Sequence, residues 1–157
     1  MISFKKILVT TDLSTNSEAA IPYAMDIARQ YKGELLIVHA FEFEPFVIAG
    51  GGADPTMMTA EGWESVYREQ HAKFLTCVDR WVKDTPDVRF QSHFLRGQAV
   101  QQVIELADKE KVDLIVLATH GRTGLAHFFY GSVAEKIVRF SHHPVLSIRP
   151  PSLAKVR

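Results

Sequence analysis

Leu114-Ile115-Val116-Leu117 narrows the possible folds of this chain more than any other stretch. The four residues place apolar side chains on both sides of a pleated strand, so neither face is left for water. That pattern belongs to strands of parallel sheets, which are covered above and below. A parallel neighbour needs a crossover, normally a helix. The sequence supplies one: a loop with glycines at 121, 124 and 131 leads into a segment with Val133, Ala134, Ile137 and Val138 at helical spacing, and Pro144-Val145-Leu146-Ser147-Ile148 follows. Residues 112–149 therefore read as a βαβ unit. Its enlarged loop lies at the carboxyl end of the first strand, where open α/β sheets bind ligands.

The chemistry of that loop points to an anion. Gly131-Ser132 stands where the last helix begins. The first amides of a helix lack internal acceptors and carry the positive end of its dipole, a natural seat for phosphate. Gly131 lets backbone approach closely, and the Ser132 hydroxyl can donate to a phosphate oxygen. Gly121 can turn the chain across a ligand at positive φ, and Arg122 adds charge. The plainer alternative is that the glycines only make turns and Ser132 is only a helix cap.

Ala118-Thr119-His120-Gly121, nine residues, then Gly131-Ser132 resembles the signature of the universal stress protein family. The nucleotide-binding branch of that family carries G-x2-G-x9-G-[ST] here. The spacing matches in full, and the departure is Ala118 in place of the first glycine.

The remaining composition fits such a protein. A length of 157 residues suits one domain spanning 1–157, and 46% hydrophobic with 23% charged residues is ordinary for a globular chain. Eighteen basic and eighteen acidic residues balance to a formal charge of zero. Nothing in that balance favours nucleic acid or an anionic membrane as a partner. No apolar run approaches the roughly 20 residues of a spanning helix. The start, MISFKKILVTTD, enters a strand pattern directly and lacks a signal-peptide layout. With Cys77 as the single cysteine, a cytoplasmic location is expected.

In chain order, Ile7-Leu8-Val9 is the first strand, ending in Thr10-Thr11-Asp12-Leu13-Ser14. Thr15 and Glu18 have the spacing of a capping box. Ala20, Ala24, Ile27, Ala28 and Tyr31 continue a helix that Pro22 disturbs and Gly33 ends. Leu35 to Val38 is the second strand, running into His39-Ala40-Phe41. A lone strand-end histidine is read as packed or solvated rather than as a ligand. Residues 42–59, with Gly50-Gly51-Gly52, read as a flexible loop. They lack the Gly-Lys-Ser/Thr ending of a phosphate loop. Glu61 to Lys83 is a helix whose aromatic stripe (Trp63, Tyr67, Phe74, Trp81) reads as core, with Cys77 packed nearby. Val88 to Leu95 is the third strand. Val100, Val103, Ile104 and Ala107 mark the next helix, and Lys109-Glu110-Lys111 reads as a solvated charge run.

Asp12 ends the first strand beside the expected crevice. Its carboxylate can accept from a ribose hydroxyl or help hold a cation, or it can simply stabilise the following turn. The resemblance favours the nucleoside. It also implies backbone contact with adenine at Ala40. The nucleotide site it implies comprises Thr10, Thr11, Asp12, Ala40, Leu117, Ala118, His120, Gly121, Arg122, Gly131, Ser132, Val133 and Ala134. The fold it implies is an open five-stranded parallel sheet of order 3-2-1-4-5 with helices on both faces, Rossmann-like. In that order the last strand is an edge, and family members commonly pair there, so a homodimer through Val145–Ile148 is expected.

The function implied is binding of ATP or a related adenine nucleotide (AMP or ADP), with Mg²⁺ accompanying the phosphates, by a regulatory dimer in stress response. A nucleotide-free dimeric interaction module is the alternative, and Ala118 leans that way. A slow ATPase would need a positioned base and usually a metal. Asp12 and His120 are available, but the sequence identifies no orienting partner for either, so efficient catalysis is not expected. Seven histidines form no HExxH or comparable ligand pair, and adjacent His142 and His143 read as surface residues.

Overall fold

The apolar runs become a single five-stranded sheet. The computed structural model describes residues 2–42, 60–120 and 131–151. Its elements are β1 (Lys6–Thr10), α1 (Thr15–Glu18), α2 (Ile21–Tyr31), β2 (Glu34–Phe41), α3 (Ala60–Val82), β3 (Arg89–Arg96), α4 (Ala99–Glu110), β4 (Leu114–Ala118), α5 (Ser132–Phe140) and β5 (Val145–Ile148). Most of the expected loop (residues 43–59), the 125–130 segment and the tail beyond 151 lie outside the described residues. All strand pairs are parallel, and the order is β3-β2-β1-β4-β5.

Alternation along each central strand feeds two cores. Ile7, Val9, Leu35, Ile37, Leu114 and Val116 face α2 and α3, where Ala24, Ala28, Phe74 and Val78 meet them. Leu8, Leu36, Val38, Ile115 and Leu117 face α4 and α5, meeting Val103, Leu106, Ala107, Ala134 and Ile137. β1 has no solvent-facing side: Ile7, Leu8 and Val9 are all fully buried. This is the double burial that continuous apolar strands require.

Several local features differ from the sequence reading. The helix after β1 is split. Ser14, not Thr15, caps α1, accepting from the Ser17 amide at 3.2 Å. Glu18 pairs instead with Arg80 of α3 at 2.7 Å. Pro22 sits in the first turn of α2, where its missing N–H costs nothing. Gly33 is not the left-handed cap of α2; Lys32 takes that conformation, at φ 50°. Gly33 is small because β1 lies against it: a Cβ there would stand 2.7 Å from the Phe4 carbonyl oxygen and 2.9 Å from that of Lys5. On α5, Ala134 and Ile137 are buried, whereas Val133 and Val138 face solvent. The charge run that ends α4 is not merely solvated, since Glu110 binds Lys6 at 2.7 Å and Lys111 is a left-handed cap. His143 meets Asp108 at 2.8 Å, while His142 is exposed.

From the aromatic stripe of α3, Phe74 is buried and Trp81 packs partly buried in an aromatic-rich core. Phe94 is its hub, with ring centroids of His71, Tyr67, His39 and Phe74 between 4.8 and 5.7 Å away. Arg96 closes one end, its guanidinium 3.6 Å from the centre of the Tyr67 ring and 3.1 Å from Glu64. Cys77 packs half-buried against the same core.

On the opposite face of β3, His93 has a buried Nε2 with no hydrogen-bond partner among the described residues. Burial holds its imidazole below the ordinary histidine range. The charges around it act in both directions: Glu110 and Glu34 favour protonation, and Lys109 and Lys6 oppose it. The unfolded chain therefore takes up this proton first as pH falls. The contribution of His93 to stability is complete above the ordinary histidine pKa and declines as pH drops through and below it.

Two outcomes are expected in urea unfolding. Gly33→Ala lowers stability by ~1–3 kcal/mol, because the methyl group must push the Phe4–Lys5 backbone aside. His93→Leu loses less stability than the parent protein when both are moved from pH 7.5 to pH 5.5; an equal loss would contradict the burial argument.

Candidate functional site

The carboxyl ends of β1, β2 and β4 and the amino end of α5 meet at one cleft of about 190 Å³. Thr10, Thr11 and Asp12 come from the end of β1, Ala40 from β2, and Leu117, Ala118, Thr119 and His120 from β4 and the turn beyond it. Gly131, Ser132, Val133 and Ala134 form the far wall. Eleven of the thirteen residues expected at the site thus share one cleft; Gly121 and Arg122 lie outside the described residues. Ser17, Ala99 and Thr119 also line it, and the sequence reading did not assign them.

The β4 side is fastened by the backbone. The Gly131 amide donates to the Thr119 carbonyl at 2.6 Å, and the Thr119 amide donates to Ile148 at 2.8 Å. These bonds place the first turn of α5 directly over the end of β4. Gly131 is the N-cap at φ −67° and makes no side-chain cap bond. Any residue can adopt that backbone, so conformation alone does not call for glycine at 131. The amides of Ser132, Val133 and Ala134 have no acceptor inside the helix and face the cleft with the positive end of its dipole. Ala118 stays in the strand ladder opposite Ile148 and is not among the residues at positive φ. The alanine therefore imposes no backbone strain, and its effect is confined to one methyl group.

The β1 side is a hydrogen-bonded turn. Asp12 Oδ1 accepts from the Ser14 amide at 3.0 Å and from the Ser14 hydroxyl. Thr11 and Ser17 are buried, and their hydroxyl oxygens lie 2.8 Å apart. The Ser17 hydroxyl donates to the Ser14 carbonyl at 2.9 Å and accepts from the Asp12 amide at 3.3 Å. The Leu13 amide donates to Thr11 Oγ1 at 3.0 Å. Leu13 itself sits at φ 63°, a left-handed conformation unusual for leucine, held by this bond and by burial of its side chain in the core. The turn-stabilising reading of Asp12 is thus realised, and the same residue also lines the cleft.

The two histidines differ. His120 is buried at the cleft, its Nδ1 3.0 Å from the Thr119 hydroxyl. His39 donates from Nδ1 to the Thr11 carbonyl at 2.8 Å and packs on Phe94, away from the cleft lining. It is the packed histidine the sequence suggested. Among the described residues no group of three His, Cys, Asp or Glu side chains could hold a metal, and no helix is long and apolar enough to cross a membrane.

A parallel sheet reversing direction between β1 and β4, with a crevice at that reversal, defines a Rossmann-like doubly wound α/β protein. The comparisons narrow this class. The model of the universal stress protein family matches residues 3–149. Universal stress protein MJ0531 of Methanocaldococcus jannaschii is 32% identical over 152 residues, covering 94% of this chain and 84% of that protein. The structure of MJ0577, a universal stress protein of the same organism, superimposes with a TM-score of 0.76 at 21% identity, over 94% of this chain and 97% of that one. A universal stress protein solved in complex with cAMP superimposes with a TM-score of 0.67 at 25% identity, over 95% and 99%. The chain belongs to the universal stress protein family.

Because Ser14 both caps α1 and holds Asp12, Ser14→Ala is expected to lower stability by ~1 kcal/mol in urea unfolding, the usual cost of losing an N-cap.

Proposed function

We propose that this protein binds an adenine nucleotide in the cleft between β1 and β4. The observation that carries the reading is the convergence of Asp12, Ala40, Ala118 and the Gly131–Ser132 helix start on one crevice at the switch point of the sheet. The relative solved with cAMP adds weight, since it holds an adenine nucleotide on the same fold at 25% identity.

In this reading the phosphates rest on the first amides of α5 and on the Ser132 hydroxyl. Asp12 takes the ribose, backbone at Ala40 meets the base, and His120, Gly121 and Arg122 complete the phosphate side. The ligand is ATP, ADP or AMP. Mg²⁺ accompanies a polyphosphate through its oxygens and needs few protein groups.

Regulation is the role we assign, with occupancy of the cleft biasing a dimer. β5 is an edge strand, and α5 exposes Val138 and Phe140. An edge strand with apolar neighbours suits pairing with a second copy through Val145–Ile148. The nucleotide-free interaction module leans on Ala118; the backbone there is unstrained, so that reading rests on the space its methyl group takes from a ligand.

Titration calorimetry with ATP, ADP and AMP tests the proposal, alongside mass spectrometry of small molecules released on denaturation. The parent protein is expected to bind at least one of the three. Gly131→Val should weaken binding by roughly tenfold or more, the loss of about one charge-assisted hydrogen bond to phosphate. An empty protein that ignores all three nucleotides would overturn the reading.

A further inference from the structure

Ser17 has no counterpart among the expected site residues, yet it is the most connected hydroxyl at the cleft. It is buried, with 5% of its surface exposed, and it borders the crevice. Its hydroxyl meets three partners. The hydroxyl proton goes to the Ser14 carbonyl at 2.9 Å. The oxygen accepts from the Asp12 amide at 3.3 Å and stands 2.8 Å from Thr11 Oγ1. With its own proton committed, Ser17 must accept from Thr11. The Ser17 amide meanwhile donates to the Ser14 hydroxyl oxygen at 3.2 Å, and that hydroxyl donates to Asp12 Oδ1.

The Ser17 hydroxyl therefore ties down the Asp12 amide and the carbonyl of Ser14, and Ser14 in turn holds the Asp12 carboxylate with its own amide and hydroxyl. Leu13, next in the chain, is fixed at φ 63° by its bond to Thr11 Oγ1. The Asp12 carboxylate is thus held by the amide and hydroxyl of Ser14 within a turn that the Thr11 and Ser17 hydroxyls brace. Thr11 and Ser17 are the buried members of this network, and hydroxyls bonded to one another in this way stiffen the turn. A carboxylate that must meet a sugar hydroxyl within a few tenths of an ångström gains from that rigidity.

We propose that Ser17, supported by Thr11, is the positioning residue of the sugar subsite, and that it gives this protein its preference for ribose over deoxyribose nucleotides. The proposal rests on the adenine-nucleotide reading of the cleft. Ser17 itself needs no contact with the ligand; it acts through Asp12.

The test is calorimetric titration of the full-length protein with AMP, 2′-deoxy-AMP and 3′-deoxy-AMP. The parent protein is expected to favour AMP over at least one deoxy analogue by about tenfold or more, the discrimination of a carboxylate that has lost its hydroxyl donor. In Ser17→Ala the preference should collapse. Affinity for the disfavoured analogue should change by no more than about twofold, the scatter of an energetically silent substitution. A purely structural role would lower all three affinities together and leave their ratios intact, which would overturn the proposal.

Thr11→Val removes the hydroxyl that donates to Ser17 while keeping a branched side chain at the strand end. It is expected to reduce the preference in the same direction, and it decides the matter should Ser17→Ala fail to fold. A parent protein that binds AMP and both deoxy analogues equally would overturn the sugar-subsite assignment while leaving adenine-nucleotide binding in place. Binding of none of the three would overturn both.

Discussion

The central strands of this protein have no side left for water. Ile7, Leu8 and Val9 of β1 and Ile115 and Val116 of β4 are fully buried, and each strand alternates between two separate cores. Helices must therefore cover both faces of the sheet. The chain leaving β1 passes to the face of α2 and α3, while the chain leaving β4 passes to the face of α5. Two adjacent strands whose continuations part to opposite sides leave a gap between them at their carboxyl ends. The cleft is thus a consequence of burial on both faces. It does not depend on any side chain that lines it.

The two walls of the gap are built by different means. On the β4 side the main chain does the work: the bond from Gly131 to Thr119 draws a helix start over the strand end and presents its first amides. On the β1 side, side chains do the work. Thr11, Ser14 and Ser17 tie the turn to itself, and the strain of a left-handed Leu13 is held in place by that wiring and by core burial. The first wall offers positive potential and the second a carboxylate. A ligand carrying a phosphate at one end and hydroxyls nearer the other matches that polarity.

Much of this was legible in the residues. Continuous apolar runs announced doubly buried strands, and the spacing from Ala118 through Gly121 to Gly131-Ser132 marked the crevice. Asp12 followed from its place at the end of the first strand, and Ala40 from the family resemblance. Ser17, Ala99 and Thr119 were not legible as site residues. Ser17 lies inside a short helix whose start looked like a capping box one residue later, and Ala99 reaches the cleft only because α4 begins at the same rim. Nothing in the local pattern of a serine or an alanine distinguishes such positions from any other helical residue.

The sequence by itself determined the class of fold, the order of its strands through the family resemblance, and the location of the crevice. Those properties depend on which stretches must be buried and where glycines interrupt them, and both are written along the chain. Only the tertiary structure decided what individual small and polar residues do. Gly33 is glycine because the Phe4–Lys5 backbone passes within contact distance. Glu18 reaches Arg80 rather than closing its own helix, and Glu110 finds Lys6 across 104 residues of chain. Val133 and Val138 are exposed because α5 turns a narrower face to the sheet than its composition suggested. Such partnerships arise when distant segments are brought together by the sheet, and no local pattern carries information about a neighbour a hundred residues away.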